Sequence, residues 1–130
     1  MFALTSCILI VDDMSTMRKL IIKQLKELGF SNFKEADNGS SGWESISNAD
    51  PSFDLVISDW NMPHSSGLDL LKRVRADSRF KKLPFLMITA EAEKHQIVEA
   101  VQAGISSYIL KPFVIDTLKE QLRVAYEKSQ

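Results

Sequence analysis

Three apolar runs in this 130-residue chain end abruptly in charge, and the charges are those that can handle a phosphoryl group. Cys7-Ile8-Leu9-Ile10-Val11 leads into Asp12 and Asp13, Leu55-Val56-Ile57-Ser58 into Asp59, and Tyr108-Ile109-Leu110 into Lys111 and Pro112. Continuous Val/Ile/Leu runs of this length read as strands buried on both faces of a parallel sheet. Ligands bind at the carboxyl ends of such strands, so three carboxylates and one ammonium are expected at one edge. Clustered acids repel one another and call for a cation, and an oxygen-only donor set suits Mg²⁺.

The elements between these runs alternate. Met17, Leu20, Ile21, Leu25 and Leu28 recur at helical spacing from Ser15 to Leu28, with Arg18, Lys19, Lys23 and Lys26 mainly elsewhere around the wheel; Ser15 is read as the N-cap and Gly29 as the stop. A weaker strand from Phe33 to Ala36 precedes a turn at Asp37-Asn38-Gly39, and Trp43 and Ile46 mark a second helix ending before Asp50-Pro51. Residues 62–67 form a loop, and Leu68, Leu71 and Val74 stripe a third helix. Pro84 opens a strand from Phe85 to Ile88 that stops at Thr89. Ile97, Val98 and Val101 mark a fourth helix that Gly104 ends, and Ile115, Leu118, Leu122 and Ala125 line a fifth. Five β-α units with short connections imply a doubly wound α/β sandwich with a five-stranded parallel sheet. The strand-ending acids on the first and third strands favour the order 2-1-3-4-5, whose switch point lies between those two.

Composition is that of an ordinary globular domain, and residues 1–130 are expected to form a single one. Sixteen basic against seventeen acidic residues give no bulk electrostatic case for nucleic acid or anionic membrane. The run Lys72, Arg73, Arg75, Arg79, Lys81 and Lys82 is read as a solvated face. One cysteine, Cys7, allows no intramolecular disulfide; it reads as a buried strand residue, and the lipid-attachment reading of Leu4-Thr5-Ser6-Cys7 fails without a basic leader. No apolar stretch nears the ~20 residues of a membrane span, and a cytosolic protein is expected. His64 and His95 are read as exposed, and Met14 and Met17 as helix packing.

Asp12-Asp13-Met14-Ser15-Thr16-Met17-Arg18, Asp59-Trp60-Asn61-Met62-Pro63, Thr89-Ala90-Glu91-Ala92, Gln102-Ala103-Gly104 and Ser107-Tyr108 through Lys111-Pro112-Phe113 together resemble response-regulator receiver domains, and within them the single-domain chemotaxis regulators. The match runs from the first strand to the last helix and is weakest near residues 31–56. The known strand order of such regulators belongs to the same resemblance. It implies that Asp59 accepts a phosphoryl group from a histidine kinase of the chemotaxis type as an acyl phosphate. It implies Mg²⁺ held by Asp13, Asp59 and the backbone carbonyl of Asn61, with Asp12 acting through water, while Lys111 and Thr89 serve the phosphoryl oxygens. It further implies a switch pair, Thr89 and Tyr108, and hydrolysis tuned by Asn61 and Glu91. An output face on the fourth helix, fifth strand and fifth helix would include Ala90, Tyr108, Leu110 and Phe113. A cis Lys111–Pro112 bond belongs to the same set.

The implied role is a phosphorylation switch, not an enzyme in the ordinary sense, signalling by protein binding to the flagellar switch or another effector and expected as a monomer. On the last helix, positions that are basic in the chemotaxis regulators are Gln121 and Val124, with Lys119, Arg123 and Lys128 nearby, which leaves the downstream partner open. A receiver serving transcriptional output or a phosphorelay is the alternative. The short tail after Lys111-Pro112 is expected to hold one helix and no effector domain. A flavodoxin is disfavoured because Asp12-Asp13 would repel the cofactor phosphate. A phosphatase of the haloacid dehalogenase type is disfavoured because Asn61 stands where a second acid is needed.

Overall fold

A computed structural model describes residues 1–90 and 94–130. Among them, five strands and five α-helices alternate: β1 (Cys7–Val11), α1 (Ser15–Glu27), β2 (Asn32–Ala36), α2 (Gly39–Asn48), β3 (Leu55–Asp59), α3 (Gly67–Ala76), β4 (Phe85–Thr89), α4 (Lys94–Gln102), β5 (Ser107–Leu110) and α5 (Ile115–Lys128). A single 3₁₀ turn at Ser78–Phe80, not expected from the sequence, follows α3. Every strand pair is parallel and the order is β2-β1-β3-β4-β5, the order that the strand-ending acids favoured.

The alternating strand faces divide the core in two. Ile8, Ile10, Leu55, Ile57, Leu86, Ile88 and Ile109 pack against Ile21 and Leu25 of α1 and Leu118, Leu122 and Ala125 of α5. Leu9, Val11, Val56, Phe85 and Met87 face Ile46 of α2, Leu70, Leu71 and Val74 of α3 and Ala100 of α4. Two helices therefore cover one face and three the other.

Local chemistry sets the helix ends. Asn38 caps α2 and Ser66 caps α3, each in a reciprocal capping box with Ser41 and Asp69. Gly29 and Gly104 take positive φ (105° and 92°) just past α1 and α4, the left-handed stop that glycine permits. Ser15 is not a cap: Met14 occupies that position and α1 has no side-chain cap bond. The Asp12 carboxylate, which accepts from the Met14 N–H at 2.9 Å, holds this turn instead.

Several expectations about burial are corrected. Met14 is exposed because it lies on the turn before α1, outside its packing face. Cys7 is half-buried because it begins its strand; its amide donates to Asp54 Oδ2 at 2.8 Å. Val98 (46% exposed) and Val101 (53%) are not core: α4 packs through the small Ala100 and turns both valines outward. β5 is an edge strand, so Tyr108 and Leu110 point out while Ser107 and Ile109 point in. Within the basic run Arg75 is half-buried, donating to the Gly104 carbonyl at 3.0 Å and the Phe80 carbonyl at 2.7 Å. Arg73 stacks over Trp43, 4.9 Å from the ring centroid. Lys72, Arg79, Lys81, Lys82, His64 and His95 are exposed.

Candidate functional site

Three strands deliver the charged cluster, and the register explains how. β1 pairs with β3 from Ile8↔Leu55 to Val11↔Ser58, so Asp12 and Asp59 leave the sheet side by side. β4 lies beyond β3, with Asp59 opposite Ile88, and β5 closes the row with Thr89 opposite Leu110. The Lys111 amide donates to the Thr89 carbonyl at 2.8 Å, holding the lysine at the same edge. The Lys111–Pro112 bond is cis, as is Asp50–Pro51.

One carboxylate oxygen each from Asp12, Asp13 and Asp59 falls within 4.8 Å of the others. Asp12 is buried (1% exposed), Asp59 nearly so (8%), and Asp13 is open to solvent. Lys111 Nζ lies 3.2 Å from Asp59 Oδ1 and 3.8 Å from Asp12 Oδ2. Burial first, then repulsion from Asp59 and Asp13, pushes the Asp12 carboxyl up to about 6, against the opposing pull of the Met14 N–H and Lys111. Burial also raises Asp59, and Lys111 offsets part of that rise. One lysine is too little positive charge for three acids. Asp12 Oδ2 is buried with no hydrogen-bond partner among the described residues, an expensive state for a carboxylate oxygen. A hard divalent cation with oxygen ligands fits this donor set and would relieve both the repulsion and the orphaned oxygen.

The other sequence-derived residues fall around this cluster. Thr89 is buried at the end of β4 (4% exposed) and Asn61 is exposed two residues past Asp59. Tyr108 is turned outward (37% exposed), and Ala90 and Leu110 are also exposed while Phe113 is half-buried. A shallow groove of about 430 Å³ runs over Tyr108, Leu110, Pro112, Phe113 and Gln121. The Ser107 hydroxyl donates to the Gln121 side-chain oxygen, joining β5 to α5. Arg123 is ion-paired with Glu120 and Glu127 on its own helix. Glu91 lies outside the described residues.

Two residues that matter here were not singled out by sequence reasoning. Arg18, read only as lying mainly away from the apolar stripe of the wheel, donates to the Asp12 carbonyl at 2.6 Å. Gly67 seats the first turn of α3 against the end of β3: its amide donates to the Trp60 carbonyl at 2.8 Å. A Cβ there would sit 2.2 Å from the Asp59 carbonyl oxygen and 2.6 Å from Met87 Sδ. Gly67→Ala is expected to destabilise the fold by about 2 kcal/mol, because neither the backbone oxygen nor the core sulfur can yield cheaply. Urea unfolding checks this; an unchanged midpoint would show that α3 shifts without cost.

Residues 8–123 match the response regulator receiver domain family. Chemotaxis protein CheY-3 of Vibrio cholerae is 53% identical over 121 residues, covering 93% of this chain and 92% of that protein. Chemotaxis protein CheY of Pseudomonas aeruginosa is 50% identical over 121 residues, covering 93% and 96%. Among solved structures, chemotaxis protein CheY4 of Vibrio cholerae matches with a TM-score of 0.83 at 31% identity, over 92% of this chain and 97% of that one. With the strand order, the acid cluster and the lysine in register, these similarities establish that the chain belongs to the response regulator receiver domains and is closely related to the CheY chemotaxis regulators.

Proposed function

We propose that the chain is a phosphorylation-activated chemotaxis switch that takes its phosphoryl group on Asp59 from the phosphohistidine of a kinase. The observation that carries this reading is the convergence of Asp12, Asp13 and Asp59 within 4.8 Å beside a lysine 3.2 Å from Asp59. An Asp59 oxygen attacks phosphorus, the phosphorus–nitrogen bond to the donor imidazole breaks, and an acyl phosphate forms. Asp13, Asp59 and the Asn61 backbone carbonyl would hold Mg²⁺, with Asp12 acting through water; when bound, the ion neutralises charge on the phosphoryl oxygens. Lys111, already against Asp59, pairs with one of those oxygens, and the Thr89 hydroxyl donates to another.

Readout follows from the added charge and its acceptor oxygens, which draw Thr89 inward. Space beside β4 is thereby opened for Tyr108, now outward, to turn in. The reshaped surface of α4, β5 and α5, including Ala90, Tyr108, Leu110 and Phe113, binds an effector such as the flagellar switch. The protein acts as a monomer in the cytoplasm, in one domain spanning residues 1–130. Hydrolysis of the acyl phosphate is tuned by Asn61, two residues past Asp59, and by Glu91.

A motility switch must reset quickly, which gives the test. Radiolabelled phosphate on the purified protein with Mg²⁺ at neutral pH should be lost within seconds to minutes. Asn61→Lys should lengthen that lifetime roughly tenfold, equivalent to about 1.4 kcal/mol of barrier, by filling the water's path with a bulky cation. A half-life of hours in the unmodified protein would overturn the chemotaxis reading while leaving phosphorylation of Asp59 intact.

A further inference from the structure

Arg18 lies six residues after Asp12, on α1, yet its side chain is only 16% exposed. Its Nη1 donates to the Asp12 backbone carbonyl at 2.6 Å, and its Nε donates to Glu35 Oε1 at 2.9 Å. These two bonds tie together the end of β1, the first turns of α1 and the edge strand β2, where Glu35 is paired in register with Ile10. The carbonyl so held belongs to the peptide that joins Asp12 to Asp13. Holding that peptide plane restrains ψ of Asp12 and φ of Asp13, and so limits the directions in which the two side chains leave the backbone.

We propose that Arg18, with Glu35 as its counter-ion, is the positioning residue of the acid cluster, a clamp on the Asp12–Asp13 peptide that sets its affinity for a divalent cation. The proposal rests on the Mg²⁺ reading of the site. A second observation supports it independently. α2 and α3 are anchored at their first turns by reciprocal side-chain caps, whereas α1 has none. Within the turn carrying both acids the Asp12 carboxylate accepts from the Met14 N–H, and Arg18 adds a restraint from outside it, on the Asp12 carbonyl.

The residue types suit the task. A guanidinium presents N–H groups in a rigid planar fork, so one side chain can hold a carbonyl and a carboxylate at once; a lysine ammonium lacks that fork. Left unpaired, however, a guanidinium this near the acids would repel an incoming cation, or swing onto a carboxylate and take the cation's place. Glu35 cancels the charge and fixes the fork. The pair thus supplies geometry to the cluster without adding net positive charge.

The test is calorimetric titration of Mg²⁺ into the purified protein, paired with thermal unfolding in EDTA, for the unmodified chain, Arg18→Met, Arg18→Lys and Glu35→Gln. Arg18→Met should weaken Mg²⁺ binding on the order of tenfold, the usual scale for losing a group that orients metal ligands. That loss would run against the change in charge, since unmasking the Glu35 carboxylate by itself favours a cation, and so marks a geometric effect. Arg18→Lys should restore only part of the affinity. Glu35→Gln should weaken binding less, with the loss shrinking as salt screens the unmasked charge. If the unmodified protein binds no Mg²⁺, the reading beneath the proposal fails. If it binds and Arg18→Met matches its affinity within twofold, the clamp is overturned, even where the melting temperature falls. Should Arg18→Met not fold, unchanged affinity in both Arg18→Lys and Glu35→Gln, the latter at a half-exposed position, overturns it equally.

Discussion

Asp59→Asn should abolish uptake of radiolabelled phosphate from acetyl phosphate, lowering the initial rate by at least about a thousandfold, or ~4 kcal/mol. An amide oxygen is too weak a nucleophile to form the acyl phosphate, and the substitution keeps the size of the side chain beside Lys111. Lys111→Ala should behave differently. The nucleophile remains, but the ammonium 3.2 Å from its oxygen is gone, so the rate should fall roughly a hundredfold, the scale of losing one charge-stabilising donor. In EDTA the two variants should diverge in stability as well. Removing one acid from a crowded cluster should raise the melting temperature, whereas removing the lysine paired with Asp59 should lower it. Labelling of Asp59→Asn at the unmodified rate would move the acceptor to another residue and sink the proposed chemistry.

Metal-free protein should lose stability as pH rises through the window from about 4 to about 6. The Asp12 carboxyl sits at about 6 in the folded chain against an ordinary 3.8, so between those values the folded state holds a proton that the unfolded chain releases. Stability therefore falls with rising pH, by on the order of 2–3 kcal/mol from this group, and burial shifts Asp59 in the same direction. Mg²⁺ should reverse the loss at neutral pH, because it binds the folded ionised cluster and not the unfolded chain. At ~100 times its dissociation constant it contributes about 2.7 kcal/mol. Asp12→Asn should flatten the pH profile in EDTA while retaining an oxygen to accept the Met14 N–H. Thermal melts across pH with EDTA or Mg²⁺ decide the matter: a profile flat in pH and indifferent to Mg²⁺ would remove the case for a self-repelling acid site.

Among the described residues, most of the sheet and its edge chemistry were legible because β1, β3, β4 and β5 are each written as a local apolar run and Asp12, Asp59, Thr89 and Lys111 each stand at the end of one. Asp12, Asp59 and Lys111 needed no knowledge of packing to be placed at a common edge, only the rule that parallel strands end together. The capping residues Asn38 and Ser66 and the stop glycines Gly29 and Gly104 act within a few residues, so their signals were local too, although Asn38 was read only as part of a turn.

What failed in the sequence reading failed for a common reason. Val98 and Val101 have the spacing of a core stripe, but which side of α4 meets the sheet is decided by how closely Ala100 lets the helix approach. Arg75 and Arg18 look like surface cations because their bonds go to backbone carbonyls and a carboxylate on other elements, and a carbonyl leaves no mark in the sequence. Gly67 reads as a loop residue until the Asp59 carbonyl is seen to occupy the place of its missing Cβ. By itself, then, the sequence determined the five β-α units, their order and the residue types at the charged edge, since periodicity and strand-end position are properties of neighbouring residues. The tertiary structure alone decided how far Asp12 is desolvated, which of its oxygens lacks a hydrogen bond among the described residues and which arginine holds its backbone, since these depend on atoms that only packing brings together.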